Sequence, residues 1–176
     1  MRQTLIKFCL YWLLALVGSL AAQAQISEIE TVRTLEAFFS ALSVENYGNG
    51  DLETIVTDDF IIFEMGQRFT LEEFQGFLAS ANYTSWVSTR WSISHYTITS
   101  SDESSHIFYQ NDGVFVFPSA NEPKKLAQQE NMWLESALIL REDGVLKLKF
   151  LQSENVFRTD TILDTPDYLL QNSAQQ

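Results

Sequence analysis

The sequence has a single cysteine and few basic residues, and both shortages exclude classes of protein. One cysteine in 176 residues can form neither an intramolecular disulfide framework nor a cysteine-based zinc site. The 11 Lys and Arg residues are outnumbered by 23 Asp and Glu, which gives a formal net charge of −12. Because affinity for nucleic acid comes mostly from basic side chains that neutralise phosphates, this balance predicts that nucleic acid is not a partner.

Motifs for metals and cofactors are also missing. The two histidines, His95 and His106, are too far apart in sequence to form a close metal-ligand pair, and no EF-hand loop is present. The chain contains no phosphate-binding P-loop, no dinucleotide fingerprint and no G-x-S-x-G nucleophile motif. The sequence therefore predicts neither a metal nor a cofactor.

What is present indicates one globular domain. The chain is too short for two full domains and a linker. Its 45% hydrophobic and 13% aromatic content is too high for an intrinsically disordered chain.

The first 24 residues follow the three-part plan of a secretory signal peptide. Arg2 and Lys7 form a basic start, residues 8–20 are uncharged and mostly apolar, and Ala22-Gln23-Ala24 is a small-x-small cleavage pattern. The alternative is an uncleaved membrane anchor, but a spanning helix needs about 20 apolar residues. We therefore predict cleavage after Ala24, a secreted or periplasmic protein, and no membrane association after cleavage.

Cleavage at this point changes the composition. It removes Arg2, Lys7 and Cys9, so the mature chain has a net charge of −14 and no thiol. A chain without disulfides must be stabilised by an ordinary hydrophobic core, and its length is sufficient for one. We predict a domain over residues 25–158 and a polar C-terminal tail over 159–176.

Helical spacing dominates the first half of the mature chain. A helix over 27–46 and another over 70–80 each begin with a capping box, Ser-x-x-Glu and Thr-x-x-Glu respectively. A short helix over 51–56 and a short apolar strand over 60–63 are predicted between them.

The second half is rich in β-branched and aromatic residues, which predicts strands. Four long strands are expected, over 86–99, 106–117, 126–141 and 145–155. Because short turns join consecutive strands, the strands should form an antiparallel meander. The predicted fold class is α+β: a cone-shaped fold in which N-terminal helices pack on a strongly curved antiparallel sheet and leave a conical cavity.

Three segments resemble the opening of the nuclear transport factor 2-like superfamily. They are Phe-Phe-Ser-Ala-Leu at 38–42, Asn-Gly-Asp-Leu-Glu at 49–53 and Asp-Asp-Phe-Ile-Ile-Phe-Glu at 58–64. The likeness is to the SnoaL-like and ketosteroid-isomerase-like branches and spans residues 27–155. Members of this superfamily include isomerases, dehydratases, cyclases, epoxide hydrolases and non-enzymatic binding or dimerising modules. The resemblance therefore implies a fold and does not imply one activity.

The ketosteroid-isomerase-like branch offers a residue-by-residue comparison. It uses a Tyr on the first helix and a protonated Asp on a later strand as oxyanion donors, and an Asp after the first strand as general base. On this sequence Phe38 stands at the Tyr position, Ser136 at the later Asp position and Glu64 at the base position. Phe38 cannot donate a hydrogen bond and Ser136 is a weak donor, so the comparison does not imply isomerase activity.

Two side chains are candidate catalytic groups. Glu64 follows an apolar run, where burial would raise its pKa and suit it to acid–base chemistry; the alternative is a solvated Glu64 beside Arg68. By period two, His95 shares a strand face with Trp91 and Ile93 and could act as an acid–base or bind a carbonyl. The alternative is a histidine on a half-wet sheet face.

Aromatic side chains are numerous in the predicted sheet and suit the wall of an apolar pocket, a plain core or a dimer face. Trp133 is two residues from Asn131 and from Glu135, and Ala137 follows at the same spacing, so these four residues share one strand face that is both polar and apolar. The candidate ligand-binding residues are Phe38, Trp91, Ile93, Trp133 and Ser136.

Three hypotheses follow. The first is an exported SnoaL-like domain that binds a small, mostly apolar molecule, with Glu64 and His95 as the polar groups that contact it. The second is a SnoaL-like lyase, isomerase or cyclase that uses Glu64 as general base with His95 as partner. The third is a structural dimerising module with a filled cavity and no ligand. A homodimer that pairs through the sheet is the expected assembly.

Overall fold

The computed structural model describes residues 24–122 and 124–164. The predicted signal peptide, apart from Ala24, and residues 165–176 of the predicted tail lie outside the described residues. The described residues form three α-helices, α1 (Glu28–Leu42), α2 (Leu52–Ile55) and α3 (Leu71–Ser80), and one 3-10 turn at Tyr83–Ser85. They also form six strands in one sheet: β1 (Val56–Glu64), β2 (Gln67–Thr70), β3 (Ser88–Ser100), β4 (Ser104–Pro118), β5 (Leu126–Glu142) and β6 (Val145–Leu163).

The order of strands in the sheet is β2-β1-β6-β5-β4-β3. The α+β class is therefore confirmed, and β3 to β6 form the expected antiparallel meander. The prediction of a purely antiparallel sheet is wrong at one place, because β1 pairs with β6 in parallel. The chain leaves β1, builds three strands on the far side and returns with β6 beside β1, so the two strands run in the same direction.

Both predicted capping boxes form. At the start of α1, the Glu30 carboxylate accepts the Ser27 N–H at 2.8 Å, and the Ser27 hydroxyl accepts the Glu30 N–H at 3.2 Å. Thr70 and Glu73 make the equivalent pair of bonds at the start of α3, at 2.8 and 3.3 Å. Each box satisfies backbone donors that a helix N-terminus leaves unpaired, which fixes where each helix begins.

The hydrophobic core lies between the helices and one face of the sheet, here called the inner face. From α1, the buried side chains include Leu35, Phe38 and Phe39, and α3 contributes Phe74 and Leu78. The opposite face is here called the outer face, and Phe108 and Leu134 are exposed on it. Register shifts interrupt the ladders of β3, β5 and β6, and such bulges bend and twist a sheet locally.

Three boundaries differ from the sequence prediction. Helix α1 ends at Leu42 and not at residue 46, because Ser43 is extended and residues 43–49 form turns. Strand β2 was not predicted from the sequence, and its last residue, Thr70, is also the cap of α3. Strand β6 continues to Leu163, so residues 159–163 of the predicted tail pair with β5. This segment starts with three exposed polar residues and ends with Ile162 and Leu163, so it shows no apolar–polar alternation that predicts a strand.

Among the described residues, no helix is both long enough and apolar enough to cross a membrane.

Gly113 on β4 makes room for an aromatic side chain of the inner face. A Cβ at this position would lie 2.5 Å from Trp133 Cζ3 and 2.9 Å from Trp133 Cη2. Real Cβ contacts are not that short, so the absence of a side chain at Gly113 lets the Trp133 ring lie flat against β4.

We expect Gly113→Ala to lower the free energy of unfolding by about 1–3 kcal/mol, because the indole of Trp133 must leave its packed position. Gly76→Ala is the matched control: Gly76 lies in α3 with no atom within 4 Å of its would-be Cβ, and the change should stabilise the protein by about 0.5–1 kcal/mol. Urea unfolding measures both. A Gly113→Ala variant as stable as the wild type would contradict the packing described here.

Candidate functional site

A cavity of about 190 Å³ lies between α1, α3 and the inner face of the sheet. Two lining residues, Met65 and Ala81, are solvent-exposed, so the cavity opens between the β1–β2 turn and the end of α3. The non-aromatic polar side chains among the described residues that line the cavity are Glu64, Glu135 and Ser153. The aromatic lining comprises Phe38, Phe39, Phe74, Phe77, Tyr83, Trp86, Trp91, Phe115 and Trp133.

Four of the predicted site residues lie at this cavity: Phe38, Trp91, Trp133 and Glu64. Phe38 is fully buried and packs 5.8 Å from Phe60, measured between ring centroids. These residues come from α1, β3, β5 and the end of β1, which are distant in sequence. The fold therefore brings them together as the sequence predicted.

Ile93 is on the inner face but does not line the cavity. It packs at the edge of the core and borders a separate, more open groove between α1 and β3, next to Trp91 and Arg90. Its prediction as a wall of the same pocket as Trp133 is wrong, because Ile93 borders only the groove, while Phe39 and Trp91 line both the groove and the cavity.

His95 is turned away from the cavity by a β-bulge. Ser94 pairs with Gln110 and Thr97 pairs with Phe108, so two residues of β3 oppose one residue of β4. His95 takes up the extra length with a φ of 49°, and its side chain is exposed. The expectation that His95 shares a face with Trp91 by period two is wrong, because the bulge shifts the alternation at this residue.

Ser136 also lies on the outer face. It pairs with Phe108 on one side and Gln152 on the other, and it borders a shallow outer depression together with His95. The assignment of Ser136 to the cavity is wrong by one position. Because strand side chains alternate, a shift of one residue reverses the face, and the inward residue is Glu135.

Glu135 is a charged residue of the candidate site that the sequence analysis did not propose as a site residue. The spacing of Trp133 and Glu135 is the signal that could have identified it. The two residues are two apart on one strand and so share a face, and Trp133 is a predicted cavity residue. The side chain is 7% exposed. Its Oε2 accepts a hydrogen bond from Asn111 Nδ2 at 3.1 Å.

Three neighbouring strands bring the polar groups of the cavity together. Glu64 ends β1, Glu135 is in β5, and Ser153 is on β6, which lies between them in the sheet. The Ser153 hydroxyl interacts with both carboxylates. The Tyr109 hydroxyl is buried beside Glu135 and stabilises its charged form, although it falls short of good hydrogen-bond geometry.

Burial raises the pKa of both carboxylates. For Glu135, desolvation dominates and raises the pKa to about 7, with a further contribution from the negative charge of Glu64. The nearby Tyr109 hydroxyl opposes this rise because it stabilises the charged form, and Ser153 and Asn111 oppose it as hydrogen-bond donors to that form. Desolvation also raises the pKa of Glu64, against contacts with Ser153 and the Met65 N–H. The pair therefore carries less than two full negative charges at neutral pH.

The alternative of a solvated Glu64 paired with Arg68 is not what the structure has. Arg68 pairs across the ladder with Phe63 and is exposed, while Glu64 points into the cavity. No group of three or more His, Cys, Asp or Glu side chains in residues 24–122 and 124–164 is arranged to hold a metal ion.

No protein-family model and no curated protein matches this sequence. Solved structures do match in fold. A candidate scytalone dehydratase from Novosphingobium aromaticivorans has a TM-score of 0.57 at 12% identity, covering 78% of this chain and 89% of its own. The hexachlorocyclohexane dehydrochlorinase LinA-type3 from Novosphingobium barchaimii has a TM-score of 0.55 at 14% identity, covering 76% and 91%.

A third similar structure is the association domain of C. elegans CaMKII, with a TM-score of 0.54 at 12% identity, covering 72% of this chain and 94% of its own. The chain thus has the nuclear transport factor 2-like fold, and the resemblance stated from its sequence is confirmed at that level. Because enzymes and an association domain share this fold, it does not specify an activity.

Replacing Glu135 should change how stability depends on pH. A carboxyl whose pKa rises from its ordinary 4.5 to about 7 on folding stabilises the folded state fully below about pH 4.5, and this contribution is lost as the pH rises through about 7. Glu135→Gln keeps a neutral side chain at every pH. Relative to the wild type, its free energy of unfolding should therefore rise by about 2–3 kcal/mol between about pH 5 and pH 8.

Urea unfolding at several pH values measures this difference. Glu154→Gln on the exposed surface of β6 is the matched control and should follow the wild-type profile. Parallel pH profiles for the wild type and Glu135→Gln would mean that Glu135 is ionised normally in the folded protein.

Proposed function

We propose that this protein binds a small, mostly apolar molecule in the cavity. The observation that carries this proposal is a volume of about 190 Å³ surrounded by nine aromatic side chains that do not fill it. An apolar cavity of about 150 Å³ is sufficient to hold benzene. A ligand with one aromatic or alicyclic ring matches this size.

The polar end of the cavity supports a ligand that is not purely hydrocarbon. Specific small-molecule sites combine an apolar lining with a few polar groups that fix orientation. Here Glu64, Glu135 and Ser153 form such a group at one end, and the rings form the rest of the wall. The ligand would place its polar atom at the carboxylates and its apolar part against the rings.

The other two hypotheses have less support. A structural module with a filled cavity does not match the unfilled volume. A lyase, isomerase or cyclase stays a prediction: Glu64 is in position for a general base, but the partner expected for it, His95, is on the outer face. Export also stays a prediction, because it depends on residues 1–24, of which only Ala24 is described.

Toluene is a suitable neutral probe of the cavity. Every tryptophan in the described part of the chain (Trp86, Trp91 and Trp133) lines the cavity, so intrinsic fluorescence should change on occupancy. We expect a saturable change for the full-length chain. Leu78→Phe adds volume inside the cavity and should weaken binding by about tenfold, since even one extra methylene is felt in a packed interior.

The same substitution outside the cavity is the control. Leu134→Phe lies on the outer face, where Leu134 is 56% exposed, and should bind toluene like the wild type. The proposed function fails if toluene leaves the tryptophan fluorescence unchanged, or if Leu78→Phe and Leu134→Phe affect it equally.

We also propose that a second copy of this chain covers the outer face of the sheet. Phe108, Leu134 and Phe157 are each more than half exposed there, and exposed apolar clusters of this kind mark association sites. The CaMKII association domain has the same fold, which supports an oligomer. The other outcome is a monomer with an apolar face.

We expect Leu134→Glu to weaken the dimer by at least about tenfold, because a buried unpaired carboxylate destabilises an interface. Val145→Glu is the matched control, since Val145 is equally exposed but lies at the β5–β6 hairpin. Sedimentation velocity over a range of concentrations measures both. A monomeric wild type, or equal behaviour of the two variants, would contradict the proposed dimer.

A further inference from the structure

The charged side chains among the described residues of the cavity lining are all acidic. None of the 18 described residues that line it is Lys, Arg or His, while two are glutamates. The ion pairs among the described residues involve Lys125, Lys147, Lys149 and Arg158, and none of these reaches Glu64 or Glu135. Buried carboxylates are normally paired with a cation. Within the described chain, this pair has only uncharged donors.

Those uncharged donors are few. Glu135 receives the Asn111 amide, and the single Ser153 hydroxyl hydrogen is shared between the two glutamates. A hydroxyl donates one hydrogen at a time. Tyr109 Oη, 3% exposed at the residue level, lies beside Glu135 without a formed hydrogen bond. A donor supplied by a ligand, placed between the two carboxylates, would complete this network.

The aromatic wall next to Glu135 also suits a cation. Trp133 precedes Glu135 by two residues and lies on the same face of β5. The Phe115 ring lies 5.7 Å from Trp133 and 5.5 Å from Trp91, between centroids. Faces of Trp and Phe attract an ammonium group within about 6 Å of the ring centroid, most strongly where water is excluded. Carboxylates and ring faces together form an environment that favours positive charge.

Other ligand classes fit less well. A carboxylate or phosphate ligand would meet two like charges and no basic side chain, at a strongly acidic protein. A neutral alcohol could donate one hydrogen bond but would leave the charge of the pair uncompensated. A fully apolar ligand would leave both carboxylates facing hydrocarbon, which disfavours their charged forms.

We propose that the cavity binds a small apolar amine in its ammonium form, with the cationic group between Glu64 and Glu135 and the hydrocarbon part against Trp91, Phe115 and Trp133. This inference rests on the proposed function and names the class of its ligand. It adds a proton balance: the bound ammonium favours ionised Glu135, so a proton held by Glu135 in the free protein leaves to solvent. The titratable side chains that face Glu135 are Glu64 from β1 and Tyr109 from β4.

Three probes with nearly the same carbon skeleton test the charge requirement: phenethylamine, phenylethanol and phenylacetate. We expect phenethylamine to bind the full-length chain at least about tenfold more tightly than phenylethanol, and phenylacetate not to bind. Isothermal titration calorimetry in two buffers of different ionisation enthalpy should show release of up to about half a proton per phenethylamine at pH 7 and none for phenylethanol.

The variants Glu135→Gln and Glu64→Gln test whether the preference for a charged ligand comes from these two carboxylates. Each should weaken phenethylamine by about tenfold or more and change phenylethanol by less than about threefold. Binding of phenylethanol therefore reports that each variant is folded with its cavity intact. Glu154→Gln, a change of the same type on the exposed surface, should leave both affinities unchanged.

The outcomes separate the two proposals. The amine inference is overturned if phenylethanol binds as tightly as phenethylamine, or if neither glutamate variant changes the binding of phenethylamine. Either result would leave the proposed binding of an apolar ligand in place. Failure of all three probes and of toluene would overturn the proposed function itself. Amine binding without proton release would contradict the role given to Glu135.

Discussion

Pairing of β5 along both edges is the constraint on which the cavity depends. This strand is paired with β4 from Leu126 to Leu140 without a register shift, and with β6 from Leu126 to Glu142 with a shift beside Trp133 and another beside Ile139. A strand held in this way cannot rotate about its axis, so each of its side chains must face either the helices or the outer surface. Trp133 and Glu135 face the helices for this reason. The position of Glu135 is therefore a consequence of register, and no local interaction of its own side chain is needed to hold it there.

This constraint has an energetic cost. Transfer of a carboxylate from water into an apolar site is unfavourable, and here it is offset only in part, by Asn111, Ser153 and Tyr109. An aliphatic residue at position 135 would pack against the same neighbours without that cost, because the replacement of buried polar groups by apolar ones is often neutral or stabilising. Glu64 adds a second carboxylate within electrostatic reach. Two such groups at one end of one cavity are more easily explained by ligand binding than by stability.

Sequence reasoning identified the parts of the molecule that local signals specify. The capping boxes at Ser27 and Thr70 placed the starts of α1 and α3 because a helix N-terminus has a short, local sequence signature. The four strands of the meander were also found, because β-branched and aromatic residues are concentrated there. Non-local pairing was harder to predict. Strand β2 is four residues long, and the last third of β6 is polar, so both exist because a neighbouring strand pairs with them.

The site was predictable where alternation is regular and was mispredicted where it breaks. Phe38, Glu64, Trp91 and Trp133 line one cavity, while His95 is displaced by a bulge that no residue type in its segment specifies. At Ser136 the error came from alignment to a family pattern across a long gap. The strand itself carried the correct answer, since position 135 must share a face with Trp133. In a paired strand, one side chain of known orientation fixes the orientation of every second residue, and this constraint is stronger than a remote resemblance. Here it replaces Ser136, a weak hydroxyl donor, by Glu135, a buried carboxyl group, as the polar residue of the cavity.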